Sequence, residues 1–422
     1  MSKSKFIIMW VAATLVAMTS LVACGGGGSS SGSTQTNSVA SGPITSFGSV
    51  YVNGTEYDTS SAAVYIEDTL ASESDLRVGM MVKIVEDSSG GAASIYHNND
   101  LEGIVIANNI VSPATTGTLD VMGQTVTVDA DTVFESNVTA ITDAGMIVAG
   151  NIVEVSGHST GTGLITATRI EVKAVDLATY LIAHPEGIEL KGVVENHSVA
   201  ASTFSIGSIT VDYSAATLSD LAAGISDGLY VEVKSTAGIN GAGVLVASAV
   251  DLEDDGTIEE EGAEDDEYEI QGMVMAMTAD TITVDSQVVT ITVDTEFDGG
   301  VRADIVVGTM VEVEAYFDAA GDLIAKQVGL EDLEVTSEMT GTVASVTSSA
   351  PNVGSITLQD GTVVLVNAET IMHDSRDNGM MANTAFNLQD LAADDYVEMQ
   401  VFDNGDGTFT ATKLERDDVP GA

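Results

Sequence analysis

Gly150-Asn151-Ile152-Val153-Glu154-Val155-Ser156-Gly157 decides how the rest of the chain is read. A glycine opens the stretch, apolar and polar residues alternate as in a half-buried strand, and a second glycine closes it. Variants recur as Gly79-Met80-Met81-Val82-Lys83-Ile84-Val85, Gly228-Leu229-Tyr230-Val231-Glu232-Val233 and Gly308-Thr309-Met310-Val311-Glu312-Val313. A fifth copy, Asp394-Asp395-Tyr396-Val397-Glu398-Met399, lacks the glycine. The anchor valines Val82, Val153, Val231, Val311 and Val397 stand 71, 78, 80 and 86 residues apart, a wider spread than strict solenoid repeats show.

Each anchor sits in the same order of elements. In the second copy, Leu101-Glu102-Gly103-Ile104-Val105 reads as an opening strand. Residues 118–121 and 125–128 alternate at period two around Met122-Gly123-Gln124, which predicts a hairpin. An irregular stretch, Ser136 to Ala149, precedes the anchor strand, and Leu164 to Ile170 closes the unit. The hairpin turn returns at Asn53-Gly54, Gly207-Ser208, Asp285-Ser286 and Asp360-Gly361. The opening Gly-x-Val returns at Gly192, Gly272 and Gly341.

Five strands with the one non-strand segment between the third and fourth is the order of an OB-type barrel, and closure removes the sheet edges that invite aggregation. The expected fold class is all-β: a tandem array of about five small OB-like five-stranded β-barrels behind a signal peptide and flexible tether. The expected units are residues 42–100, 101–176, 188–252, 269–334 and 338–419, strung as beads with separate small cores. Between the second and third, Tyr180-Leu181-Ile182 before Pro185 predicts a helical turn. Between the third and fourth, residues 253–268 carry Asp254-Asp255, Glu259-Glu260-Glu261 and Asp265-Asp266-Glu267, which read as a solvated linker.

Residues 1–23 read as a targeting segment, with Lys3 and Lys5 before an apolar run too short to span a membrane comfortably. Leu21-Val22-Ala23-Cys24 resembles the lipobox of bacterial lipoproteins. That resemblance implies recognition of Leu21, Val22 and Ala23 by the signal peptidase and lipidation of Cys24. With Gly25 following the cysteine, it implies sorting to the outer membrane of a diderm cell, facing periplasm or cell surface. The glycine- and serine-rich residues 24–41 read as a tether.

The 422 residues hold 64 Asp and Glu against 13 Lys and Arg, a formal charge of -51. Such a surface repels phosphate backbones and anionic lipid headgroups, so nucleic acid is not an expected partner. Cys24 is the only cysteine, which excludes an internal disulfide and a cysteine metal site, and Trp10, the only tryptophan, lies in the leader.

The hairpins, the Gly-x-x-Val-Glu-Val strands and the Ala-rich closing strands together resemble the bacterial domain of unknown function 5666, from Gly42 to Asp418. Tandem copies of that family behind a lipoprotein leader imply a bacterial lipoprotein, and the family brings no catalytic residues. The third unit departs from the pattern at its hairpin and the fifth lacks the anchor glycine, so distortion is expected in both.

Gly157-His158-Ser159-Thr160-Gly161 fits the G-x-S-x-G elbow of serine hydrolases, which needs a helix after the serine. The period-two run that follows predicts a hairpin loop instead, so no catalytic residue is expected. His97, His158, His184, His197 and His373 show no metal-binding spacing and read as isolated surface or loop residues. Asp403 and Asp406, in Asp403-Asn404-Gly405-Asp406-Gly407, are candidates for weak Ca2+ binding against a simple turn. Tyr51, Tyr57, Tyr65 and Tyr96 suggest a sugar platform, or barrel side chains. The expected function is a non-enzymatic, lipid-anchored, modular cell-envelope protein whose barrels act as spacer and protein-binding modules, with an envelope protein as partner. The alternatives are a calcium-dependent adhesin or matrix component and, less favoured, a serine hydrolase using Ser159.

Overall fold

In the second unit, the opening strand Leu101–Asn108 pairs antiparallel with Gly117–Val121, which pairs with Gln124–Val128. That strand runs parallel to Leu164–Ala174, whose antiparallel partner Ile152–Gly161 returns to the opening strand. The order 1-2-3-5-4-1 closes an OB-type barrel. The fourth unit (Tyr268–Met277, Thr281–Val284, Gln287–Thr290, Met310–Phe317, Leu323–Leu330) closes in the same order. So does the fifth (Ser337–Ala350, Val353–Leu358, Val363–Val366, Tyr396–Asp403, Thr408–Asp417). The computed structural model describes residues 39–418 apart from 68, 88–89, 100, 113–115, 222, 254–267, 285–286, 319, 331–335 and 377–385. Cys24, the lipobox and nearly all of the acidic linker therefore lie outside the described residues, as does the Asp285-Ser286 turn.

The anchor glycine explains why these segments close. Gly150 donates its N–H to the Val105 carbonyl, and the Val105 N–H returns to the Asn151 carbonyl, both at 2.9 Å. The same two-way bond joins Gly79 and Met80 to Ile44, Gly228 and Leu229 to Val194, Gly308 and Thr309 to Val274, and Asp394 and Asp395 to Val343. It requires positive φ: +84°, +99°, +91° and +94° at the glycines, and +77° at Asp394. Asp394 thus adopts the glycine's conformation, and the fifth barrel keeps the shared geometry in place of the distortion expected for it. The third unit does depart. Its opening strand is split into Ile188–Val193 and Glu195–Ser198, its closing strand into Val244–Val246 and Ala249–Leu252, and its ladder falls into two sheets.

Two bulges recur at fixed distances from these anchors. Opening strands shift register at Ile44/Ser46, Val105/Ala107, Val274/Ala276 and Val343/Ser345, two residues after the opening glycine. Anchor strands shift at Val85/Glu86, Ser156/Gly157, Glu314/Ala315 and Gln400/Val401. Bulges bend a strand and raise its twist, which a barrel this small needs in order to close. A second turn, not singled out in the sequence, recurs after the hairpin. The hydroxyls of Thr132, Thr295 and Thr370 donate to the carbonyls of Ala167, Ala325 and Ala411 and tie the loop to the closing strand. The irregular segment holds a 3-10 turn at Glu73–Asp75, Ala144–Met146, Arg302–Asp304 and Leu388–Asp390. The expected helical turn between the second and third units is the helix Leu177–Tyr180, capped by the Asp176 side chain.

The beads are not separate. Leu101–Asn108 pairs with Ile188–Val193, so the second and third units share one sheet, and one core cluster runs from Leu101 to Val250. Val39–Phe47 pairs in parallel with Tyr268–Met277, which joins the first and fourth units in another sheet. That strand begins inside the expected tether: Ala40 packs in the core of the first barrel and Val39 in that of the fourth. The first unit also touches the other three. Thr168 donates to the Gly79 carbonyl at 2.6 Å, Lys191 pairs with Glu67 at 2.9 Å, and Asn352 donates to the Phe47 carbonyl at 3.2 Å. The first unit is therefore the hub of the array. Among the described residues, one backbone bond, from Ala92 to the Asp58 carbonyl, links its third strand region to its closing strand, and the two are not paired as strands.

Candidate functional site

The anchor-strand glutamates mark the seams. Glu154 points out of its own barrel, as the alternation requires, but it is buried and not solvated as an outward residue would be. Lys173 lies 2.8 Å from it and outweighs burial, so its carboxyl is held below the ordinary range. Glu232 lies 3.2 Å from Lys234. Glu312 stands opposite Gln271 and diagonal to Glu269 on the paired strand, and burial together with the Glu269 carboxyl pushes Glu312 up to about 8. Glu398 lines a cleft between the second and fifth units.

That cleft, of about 660 Å³, sits over a buried ion network. Arg169, 1% exposed, donates to Glu135 at 2.6 Å and Glu171 at 2.8 Å, while its Nε and Nη1 are enclosed without hydrogen-bond partners. Glu135 then meets His373 of the fifth unit at 3.2 Å, and the other ring nitrogen of His373 lies 3.5 Å from Glu415. Burial would lower His373, but the hydrogen bond to Glu135 and the nearby Glu415 carboxylate win and raise it to about 9. Burial would raise both carboxyls, yet Arg169 and His373 hold Glu135 far below its usual range, and Lys413 and His373 do the same for Glu415. Lys413 also donates to the Thr132 carbonyl at 2.9 Å and Thr412 to Asp131 at 3.0 Å, which fixes the two units against each other.

Above this network the walls carry Asp129, Asp143, Glu338, Glu398 and Asp417. Among the described residues, Glu338, Glu398 and Asp417 have no Lys or Arg within ion-pair distance. Burial, then Asp417, Glu415 and Glu338, pushes the Glu398 carboxyl up. The arrangement attracts positive charge. A second acidic group, Glu67, Glu189 and Glu232, has carboxylate oxygens within 4.8 Å of one another. Lys191, on Glu67, and Lys234, on Glu189 and Glu232, already supply there the positive charge a metal would bring.

The sequence-derived candidates do not converge. Ser159 lies within the strand Ile152–Gly161, opposite Ile165, with a second strand and not a helix beyond the turn. His158 and Ser159 are consecutive strand residues and point to opposite faces. His158 is buried, and burial pushes it down to about 4. Asp403 accepts the Gly405 N–H and Asp406 accepts from the Thr408 N–H and hydroxyl, so both carboxylates serve as turn acceptors. Tyr51 and Tyr57 are buried and Tyr65 stacks on Tyr96 at 5.1 Å, so the four tyrosines make no common platform. His97, His158 and His373 are buried strand residues, contrary to the surface or loop placement expected of them. The sequence reading missed Arg169, Glu135 and His373, whose only signal was charge within alternating strands.

The model of the family described as Domain of unknown function (DUF5666) matches residues 102–171, 191–251, 271–329 and 340–415. The chain belongs to that family. Four of the five barrels carry the DUF5666 match, and the central first barrel does not. A search of curated proteins returned no match. Among solved structures, a multidomain protein with nucleic acid binding domains from Streptococcus pneumoniae is 8% identical. The match covers 53% of this DUF5666 chain and 72% of that one, with a TM-score of 0.15. A Drosophila Unr fragment, CSD456, is 10% identical over 54% of this chain and 97% of its own, with a TM-score of 0.14. At these TM-scores neither likeness carries an argument.

Proposed function

We propose that this DUF5666 protein is a non-enzymatic cell-envelope protein, lipid-anchored through Cys24 at the outer membrane, whose barrels act as spacer and protein-binding modules. Its partner binds in the cleft between the second and fifth units through a basic segment. The observation that carries this reading is the acidic rim: Glu338, Glu398 and Asp417 face a cleft of about 660 Å³ without cationic partners among the described residues. Carboxylates beside one another, with Glu398 partly buried among them, favour a Lys- or Arg-bearing ligand, and a ligand held mainly by charge dissociates as salt rises.

Titration with a Lys/Arg-rich peptide should give salt-sensitive binding that the double variant Glu338→Lys, Glu398→Lys weakens at least tenfold, with an acidic peptide of equal length inert. Equal binding by the double variant would reject the cleft as the site. In cells, the wild-type chain should fractionate with membranes and a Cys24→Ala chain should not; membrane retention of that variant would reject the anchor.

A further inference from the structure

The opening strands of the second and third units pair at two residues, Leu101 opposite Leu190 and Glu102 opposite Glu189, beside hairpin contacts from Gln124 to Ile206 and Ser208 to Gly123. On its other side Glu102 opposes Glu154, and Glu154 opposes Glu171. Residues directly opposite in antiparallel strands share a face, so four carboxyl side chains stand in a row across strands about 4.8 Å apart. Cations serve the row unevenly. Lys173 lies 2.8 Å from Glu154 and 3.5 Å from Glu171, and Lys234 lies 2.9 Å from Glu189. None lies within ion-pair distance of Glu102 among the described residues. Glu102 is 7% exposed, and its Oε1 is enclosed without a hydrogen-bond partner. The hydroxyl of Tyr180, in the helix that links the two units, is a polar group beside it. A charge there would be buried, underhydrogen-bonded and flanked by two like charges.

We propose that Glu102 carries a proton in the assembled protein and is a proton-dependent latch between the second and third barrels, closed when neutral and loosened when ionised. Burial raises its carboxyl to about 8, with Glu154 and Glu189 adding and Lys173 and Tyr180 opposing. His97 of the first unit lies near Glu154, Lys191 of the third unit reaches Glu67 of the first, and Glu232 and Lys234 stand beside Glu189. Because the folded value lies above the unfolded one, the native state holds the proton more tightly. Its contribution is full below about 4.5 and is lost as pH rises through about 8.

The test compares the full chain with Glu102→Gln, a neutral isostere, by thermal melting and amide hydrogen exchange from pH 5 to 9. The two should melt together at pH 5, and above pH 8 the wild type should melt several degrees lower. Exchange at residues 101–102 and 189–190, corrected for intrinsic rates, should accelerate with pH in the wild type alone. Parallel pH profiles would overturn the latch. Should Glu102→Gln fail to fold, isotope-edited infrared spectroscopy of Glu312→Gln, which removes the other glutamate held near 8, should still find a glutamic acid that ionises near pH 8. Glu189→Gln, which removes one like charge, should move that midpoint down. A row fully ionised at pH 6 would reject the proposal.

Discussion

Asp394 shows how much one backbone angle matters. It occupies the anchor-glycine position of the fifth unit at φ +77° and donates to the Val343 carbonyl at 2.9 Å as the glycines do. An L-residue in that region carries a cost of about 1 kcal/mol that glycine avoids. Among the described residues its side chain gains an exposed hydrogen bond from Gln359 at 3.1 Å. Asp394→Gly is therefore expected to stabilise the fifth unit by about 1 kcal/mol, seen as a higher urea midpoint at unchanged slope. A lower midpoint would mean that the Gln359 bond outweighs the strain. The need for glycine was legible because it recurs. The reach of the charged residues was not, since Arg169, Glu154 and Glu102 look like solvent-facing positions of alternating strands.

At the scale of the element, period-two alternation and turn glycines were enough to place strands, hairpins and barrel order. The recurrent threonine turn went unseen because its Asp-, Asn- or Thr-x-x-Thr pattern (129–132, 367–370 and 292–295) is short and its bond reaches a strand some 30 to 41 residues away. The opening glycine has a packing reason. A Cβ on Gly103 would stand 2.3 Å from the Met122 side chain, one on Gly192 would stand 2.4 Å from Ile206, and one on Gly341 would stand 2.8 Å from Leu358. The hairpin folds over the opening strand at that point and leaves no room. Gly103→Val should cost about 1–3 kcal/mol by overpacking, measured by urea unfolding against Gly241→Ala, where nothing lies within 4 Å. Equal midpoints would show that the hairpin yields freely.

For the whole molecule, tandem spacing suggested independent beads, and the structure joins them through strand pairing and through scarce cations placed at seams. Of 13 Lys and Arg, Arg169, Lys173, Lys191, Lys234 and Lys413 all sit in ion pairs at or beside a junction between units. No local pattern announces this, because a Lys191–Glu67 pair spans 124 residues and three barrels of sequence. If the first unit holds the others together, zero-length carbodiimide coupling of the monomer, which links ammonium groups to carboxylates already in contact, shows it most directly. The expected product joins Lys191 to Glu67, at a yield comparable to the pair within one unit, Lys234 to Glu189, both at 2.9 Å. Recovery of the Lys234–Glu189 link alone, with Lys191 uncoupled to the first unit, would contradict it.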